Sequence, residues 1–353
     1  MFEKMLFVGL NTTDKNIIKK LIKEYHVGGV ILYSKNYHNY QEMICLINQI
    51  HTWAEEEHYT LLIGIDEEGY RVNRLPKEFV NLKSPFAFRH DLNSITEHAS
   101  IIAHILAKST IHVNFAPVLD IKRFPDNHAI GDRCFGASAK EVIQNTLPYI
   151  EEFKKKNVVP VIKHFPGHVA TKTNSHYLIP VIWRTKRLFQ DDIVPFNKAI
   201  ERGIDALMVG HFIIPKFSFL RPTSISLKTV KYLRNNLNYS NIIMTDDLMM
   251  GPLKLANKAK LIKTAINNGI NMVMIKYYDN LFFDIDKLRK CQTLNKTNIT
   301  SSIQLIDNLI IKYHITNDLV SDTLNIDEIN TVKLRLSFLS GSGSVRNSVF
   351  IGV

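Results

Sequence analysis

Short apolar runs alternate with longer amphipathic stretches along most of the chain. The stretches keep apolar residues three and four positions apart, which is typical of helices packed on one face. Alternating strands and helices, with strands that are apolar throughout, predict a parallel sheet covered by helices. The predicted strands are Met5–Gly9, Val30–Tyr33, Leu61–Asp66, Val113–Leu119, Val158–Lys163, Ala206–Val209, Ile242–Thr245 and Met272–Ile275. The predicted helices are Lys15–Tyr25, Tyr40–Glu57, Ser94–Ser109, Ala139–Asn157, Phe189–Arg202, Leu227–Asn236 and Ala256–Asn268.

Polar residues at the strand ends favour a closed barrel over a doubly wound open sheet, which the pattern alone does not exclude. Five of them stand at or directly after the last apolar residue of five different strands. Barrel enzymes place their chemistry at this end of the strands. We therefore predict an α/β fold, a TIM-like (β/α)8 barrel. The five residues are Asp66, Asp120, His164, His211 and Asp246.

The alternation ends at about Asn295. Ser302–Tyr313 predicts one more amphipathic helix, and Ser337–Val353 is rich in serine and glycine without a period. No internal repeat or proline-rich linker marks a second domain. We assign residues 1–300 to one barrel domain and residues 301–353 to a C-terminal helix and a flexible tail.

Composition narrows the class of protein. With 353 residues and 45% hydrophobic residues the chain can bury a full-sized core. The net charge of +11 is spread along the chain, so neither a nucleic acid nor a membrane is expected as a partner. No secretory signal or membrane-spanning run is visible, and the three widely separated cysteines fit reduced thiols. We expect a cytoplasmic monomer.

Two adjacent carboxylates follow the seventh predicted strand. Successive residues there point in opposite directions, so Asp246 and Asp247 cannot both enter one cleft. Asp246 directly follows the apolar run, which makes it the candidate for a rigidly held nucleophile. Asp247 is interpreted as a helix N-cap or a solvated acid.

Two segments carry candidate ligand-binding groups. Lys163–His168 offers a cation, two imidazoles and a Pro-Gly turn. His164 and His168 have metal-pair spacing, but the proline and glycine between them argue against a helical metal site. Ile65–Arg74 combines three acids with two arginines, and either anchors substrate hydroxyls or forms a buried ion network.

Two further candidates lie in loops. The guanidinium of Arg133, in the turn Gly131–Gly136, either holds ligand oxygens or lies on the surface. His176, two residues after Asn174 in a polar segment, is either a mobile acid/base or an exposed loop histidine.

Together these segments resemble glycoside hydrolase family 3, specifically its single-domain β-N-acetylhexosaminidases of peptidoglycan recycling. The resemblance implies a (β/α)8 barrel, a retaining mechanism without metal or organic cofactor, and release of terminal β-linked N-acetylglucosamine from muropeptide-derived saccharides. The segments that carry it are Gly28–Leu32, Asp66–Val72, Asn114–Asp120, Gly131–Gly136, Lys163–His168, Ser175-His176 and Thr245–Leu248.

Position by position, the resemblance also implies roles. Asp246 matches the nucleophile, and His176 matches the histidine that this family uses where most retaining glycosidases have a second carboxylate. The matching substrate-binding positions are Asp66, Arg74, Arg133, Lys163 and His164.

One loop departs from the family pattern of Gly-Asp-Thr followed by Asp-Ser-His. Here it has Val169-Ala170-Thr171 and Asn174-Ser175-His176. The Asn174 amide is uncharged and can present a donor or an acceptor to the imidazole, so His176 should be a weaker acid/base than in the family. Three hypotheses stay open: an active exo-β-N-acetylglucosaminidase, a catalytically weak or inactive sugar-binding homologue, and a family 3 β-glucosidase of relaxed specificity.

Overall fold

The computed structural model describes residues 1–123, 130–168, 181, 186–215, 221–321 and 324–339. Within them the strands are β1 Leu6–Gly9, β2 Gly29–Leu32, β3 Leu62–Ile65, β4 Val113–Asn114, β5 Val159–Phe165, β6 Ala206–Val209, β7 Ile242–Thr245 and β8 Val273–Lys276. The helices are α1 Lys15–Lys23, α2 Tyr40–Glu56, α3 Leu92–Lys108, α4 Ala139–Lys155, α5 Lys186–Glu201, α6 Leu227–Lys231, α7 Lys258–Asn267, α8 Leu281–Arg289, α9 Lys296–Lys312 and α10 Ile326–Leu339.

The eight strands form one parallel sheet that closes into a barrel. Consecutive strands are neighbours, and β1 pairs with both β2 and β8. Between β7 and β8, Met244 forms a bridge with Met272, and the Thr245 N–H donates to the Met272 carbonyl oxygen at 3.1 Å. The ring confirms the predicted TIM-like (β/α)8 barrel and excludes a doubly wound sheet.

Glycines in the strands leave room for aromatic rings inside the barrel. Phe7 and Phe115 meet edge to face with their ring centroids 5.5 Å apart. A Cβ on Gly29 would lie 2.6 Å from the Phe7 ring, and one on Gly64 would lie 2.9 Å from the Phe115 ring. Real Cβ atoms do not approach so closely, so these strands depend on glycine to pack the core.

The observed elements differ from the predicted ones by up to three residues at many of their ends, and more clearly at β4, in the sixth helix and in two helices that were not predicted. β4 ends at Asn114, although the apolar run continues, and Pro117 within that run has no N–H to donate to a ladder. The sixth helix changes after Lys231 into a π-helical turn, Tyr232–Asn236. The helices α8 and α10 were not among the predicted elements.

Two helices follow the barrel. The predicted helix Ser302–Tyr313 lies largely within α9, and α10 packs on α3. The division of the chain at residue 300 stays a prediction, and residues 340–353 of the expected tail lie outside the described residues. Among the helices of the described ranges, none combines the length and the apolarity that crossing a membrane requires.

Candidate active site

Four charged side chains meet across the ends of β3 and β5, and we call them the anchoring side: Asp66, Glu68, Arg133 and Lys163. The Lys163 ammonium lies 2.6 Å from one oxygen of Asp66 and 2.6 Å from one oxygen of Glu68. Nε and Nη2 of Arg133 donate to the two oxygens of Glu68, both at 2.7 Å. The side chain of Arg133 is 15% exposed, so the surface interpretation of this residue is wrong.

The anchoring side holds its charges in a buried setting. Burial alone would raise the pKa of Glu68, but Arg133 and Lys163 hold it far below its usual range. Burial likewise opposes the charge of Lys163, yet Asp66 and Glu68 raise its pKa. Because the Asp66 side chain stays 23% exposed, it can meet a ligand while the groups beneath it remain paired.

His164 is oriented by Asp120. Its Nδ1 lies 2.7 Å from Oδ2 of Asp120, and the other carboxylate oxygen accepts the backbone N–H of His168 at 2.5 Å. A carboxylate accepts, so Nδ1 of His164 carries the proton and the opposite nitrogen is left for other partners. Burial opposes ionisation of Asp120, but the charge of His164 holds its pKa below the usual value.

His168 lies beside His164. The two ring centroids are 6.1 Å apart, and burial lowers the pKa of His168 to about 4, so its imidazole is neutral. Nδ1 of His168 is buried without a hydrogen-bond partner in the described part of the chain. Within the same ranges, no three side chains of metal-binding type converge.

Arg74 lies at the same mouth of the barrel. Its backbone N–H donates to Glu67 at 2.6 Å, and its Nε is buried without a partner among the described residues. Burial raises the pKa of the Tyr33 hydroxyl. The charges of Asp66 and Asp246 raise this pKa further, and the charge of Arg74 lowers it. Arg74 therefore shares a neighbourhood with the strand-end carboxylates, and it retains a buried donor of the kind that a ligand oxygen satisfies.

The opposite wall of the mouth is built on β6 to β8, and we call it the nucleophile side: Asp246, Asp247, His211 and Lys276. Asp246 directly follows β7, and its carboxylate accepts the Asp247 backbone N–H at 2.7 Å. Burial would raise the pKa of Asp246, but the charges of His211 and His164 hold it below its usual value. An ionised carboxylate of this kind can act as a nucleophile.

Asp247 is buried, with 3% of its surface exposed, so it is not a solvated acid. The next helical turn is Gly251–Leu255 with Met250 at its N-cap, so Asp247 is not an N-cap either. One oxygen accepts the backbone N–H groups of Met249 at 2.9 Å and Lys276 at 3.1 Å. The other lies 3.1 Å from the Lys276 ammonium. The chain turns back toward β8 directly after β7, so this carboxylate ties two strand ends together.

His211 is fixed from both ends of its ring. Nε2 lies 2.8 Å from the Asp247 carbonyl oxygen, which can only accept, so this nitrogen carries a proton. Nδ1 lies 2.6 Å from Oγ of the buried Ser224. The imidazole therefore has a set orientation beside Asp246.

The structure brings together most of the predicted site residues. Asp66, Arg74, Arg133, Lys163, His164 and Asp246 lie around one mouth of the barrel. His176 and Asn174 lie outside the described residues.

The prediction assigned no site role to several groups that the structure places beside these residues. Asp120 had a visible signal, since it stands at a strand end, and Glu68 belonged to the segment proposed as a possible ion network. Lys276 and Tyr33 had the same signal, since Lys276 directly follows the predicted strand Met272–Ile275 and Tyr33 ends the predicted strand Val30–Tyr33, but neither was singled out.

The chain is similar in sequence to a glycosidase family and to several named beta-hexosaminidases. Residues 3–309 match the Glycosyl hydrolase family 3 N-terminal domain. The chain is 29% identical over 317 residues to a beta-hexosaminidase of Psychromonas ingrahamii, covering 86% of each chain. It is 30% identical over 332 residues to one of Haemophilus influenzae, covering 90% of this chain and 92% of that one.

A solved structure shares the architecture. A glycoside hydrolase family 3 β-N-acetylglucosaminidase from a Paenibacillus species superposes with a TM-score of 0.86 at 27% identity. The alignment covers 95% of this chain and 67% of the other. The similarity therefore extends over the whole barrel and both walls of its mouth.

Proposed function

The chain belongs to glycosyl hydrolase family 3, and on this premise we propose that it is a retaining exo-β-N-acetylglucosaminidase with Asp246 as its nucleophile. The observation that carries the proposal is the carboxylate of Asp246 at the end of β7, held ionised by the charges of neighbouring histidines and of Lys163 in the anchoring side. One wall supplies the attacking group and the other fixes the sugar.

In the first step an oxygen of Asp246 attacks the anomeric carbon, and the bond from that carbon to the leaving oxygen breaks. The leaving oxygen takes a proton from His176, which produces a covalent glycosyl-enzyme. In the second step His176 removes a proton from water, water attacks the same carbon, and the bond to Asp246 breaks. Two displacements on one carbon give a product of retained β configuration.

The anchoring side supplies charged donors and acceptors for sugar hydroxyls. Asp66 remains partly exposed while its partner Lys163 is buried, so a hydroxyl can bond to the carboxylate without breaking the pair. His164, positioned by Asp120, and Arg74 add further polar groups at the rim. Fixed, buried charges of this kind orient a substrate at little cost in reorganisation.

Trapping tests the nucleophile separately from the acid/base loop. A 5-fluoro N-acetylglucosaminyl fluoride forms the glycosyl-enzyme without acid assistance, because fluoride is a good leaving group. We expect mass spectrometry of the digested protein to find the label on Asp246. Label on another carboxylate, or rapid turnover without any label, would overturn the assignment.

A chromogenic assay tests the acid/base pair. Asn174 stands where the family has an aspartate, and a neutral amide stabilises an imidazolium less than a carboxylate does. We expect measurable release of nitrophenol from the β-N-acetylglucosaminide and a higher rate for Asn174→Asp. No release by the wild-type chain, with release by Asn174→Asp, would instead identify a sugar-binding protein that has lost turnover.

The substrate is proposed to be a muropeptide-derived saccharide, hydrolysed in the cytoplasm. Incubation with purified muropeptides should release free N-acetylglucosamine, detected by mass spectrometry, faster than incubation with a chitin disaccharide at equal concentration. A β-glucoside turned over as fast as the N-acetylglucosaminide would favour a relaxed β-glucosidase.

A further inference from the structure

The helix α10 lies against the loop that carries Asp66 and Glu68 of the anchoring side, although it is distant from that loop in sequence. Its Asn330 accepts the Val80 backbone N–H at 2.7 Å and donates to the Glu78 carbonyl oxygen at 2.6 Å. Farther along the helix, Leu336 is fully buried and Arg335 pairs with Glu97 of α3. The match to the family domain ends at residue 309, so α10 lies beyond the region that the family model describes.

Lys333 is the charged group that α10 inserts beneath this loop. It is 2% exposed, and its ammonium lies 5.5 Å from the centroid of the Phe79 ring. The charge of Lys333 lowers the pKa of Glu67, which is itself 2% exposed. Burial lowers the pKa of Lys333 to about 8 and Glu67 opposes the shift, so the ammonium is mostly charged at neutral pH. A buried ammonium is costly, and a nearby carboxylate is what offsets the cost.

Glu67 in turn shapes the loop. Its carboxylate accepts the backbone N–H groups of Gly69 at 3.2 Å, Arg74 at 2.6 Å and Leu75 at 3.1 Å. It stands between Asp66 and Glu68 in the chain, so the loop folded around it carries two members of the anchoring side. Burial raises the pKa of Glu67, and the charge of Lys333 counteracts this rise.

We infer that Lys333 is a positioning residue for substrate binding, which acts through Glu67 to hold Asp66 and Arg74 where the sugar meets them. The inference rests on the proposed function. Lys333 packs over the Phe79 ring beneath the loop, and its charge acts through space on Glu67. Glu67 in turn accepts hydrogen bonds from the backbone of the binding loop. The C-terminal helix is thereby part of the binding apparatus.

The test compares Lys333→Met with Arg335→Met. Methionine keeps most of the length of the lysine and removes its charge, while Arg335 lies on the same helix in an outer ion pair with Glu97. We expect Lys333→Met to raise KM for the nitrophenyl N-acetylglucosaminide about tenfold, with kcat changed less than twofold, because small displacements of binding groups weaken binding steeply. Arg335→Met should leave both constants unchanged.

Two further variants separate positioning from general stability. Asn330→Ala removes two hydrogen bonds to the loop without touching the core, and it should also raise KM. If the charge of Lys333 acts through Glu67, the double variant Lys333→Met with Glu67→Gln should be no worse in KM than Glu67→Gln alone. Calorimetric binding of N-acetylglucosamine should weaken in step with KM.

The outcomes distinguish this inference from the proposed function. A wild-type protein that binds or hydrolyses the sugar, with Lys333→Met and Asn330→Ala unchanged in KM and sugar binding, would overturn the role of α10 alone. A lower melting temperature without a change in KM would make Lys333 a purely structural residue. A wild-type protein that neither binds nor hydrolyses the sugar would overturn both proposals.

Discussion

The two walls of the barrel mouth use charge in opposite ways. On the anchoring side, Lys163 and Arg133 saturate Glu68, and each of the ion-pair distances is 2.6 or 2.7 Å. On the nucleophile side, the Asp246 carboxylate accepts a hydrogen bond from the backbone N–H of Asp247. Its neighbours lower its pKa through space instead.

This difference follows from what each wall has to do. A group that holds a sugar is more effective when its own position is fixed by strong partners. A nucleophile must keep an electron pair available, and a carboxylate tied up in ion pairs attacks poorly. The walls should therefore respond differently to substitution: the nucleophile side mainly in turnover, and the anchoring side mainly in binding and stability.

The largest expected effect is on turnover at Asp246. Asp246→Gly should lower kcat by at least about 10³-fold, because it removes the carboxylate proposed to form the glycosyl-enzyme. Binding of N-acetylglucosamine should change little. Azide should restore turnover of a nitrophenyl substrate and give a glycosyl azide of α configuration, since it enters from the vacated face. Asp247→Asn serves as the matched control, and azide should not rescue it.

The second effect is on stability at the anchoring side. Arg133→Met leaves the buried Glu68 with one cation instead of two, and removal of one partner from a buried ion pair costs about 3–5 kcal/mol. Urea unfolding should show this loss, together with a raised KM. Lys155→Met, which removes an exposed pair with Glu152, should change neither quantity. Equal stability of the two variants would show that the network is not a buried one.

The strands, the barrel and the main carboxylates were predictable from sequence because they depend on local pattern. Apolar runs predicted all eight strands, and position at a strand end identified Asp66, His164 and Asp246. The partners were harder to predict. Glu68 meets Arg133, 65 residues away in the chain, and such a pairing depends on which loops adjoin across the barrel mouth.

The burial of Asp247 shows a second limit of prediction from sequence. Its burial depends on the backbone turning toward β8, where the Lys276 N–H and ammonium receive it. No periodicity encodes that turn. The helix α10 was missed because the sequence pattern beyond Asn295 was interpreted as a single helix followed by a tail.

A third prediction concerns pH and Glu68. Its pKa is depressed in the folded protein, so its contribution to stability is present above the unfolded value of about 4.3 and is lost as pH falls below that value. Glu68→Gln should therefore destabilise the protein at pH 7, by about 2 kcal/mol, and by progressively less below pH 4. Urea unfolding of both proteins at pH 7, 5 and 3.5 gives the comparison. A difference that stays constant across this range would contradict the ion-pair origin of the effect.

The smallest effect is expected at Lys276. Its side chain is 38% exposed, so its ion pair with Asp247 is partly screened by solvent, and loss of the ammonium should cost less stability than loss of Arg133 does. Asp247 keeps the backbone N–H groups of Met249 and Lys276, which the substitution Lys276→Met does not remove. We expect kcat and KM to change by no more than about threefold. A loss of turnover as large as that of Asp246→Gly would mean that the nucleophile side, like the anchoring side, depends on a close ion pair, and the contrast between the two walls would fail.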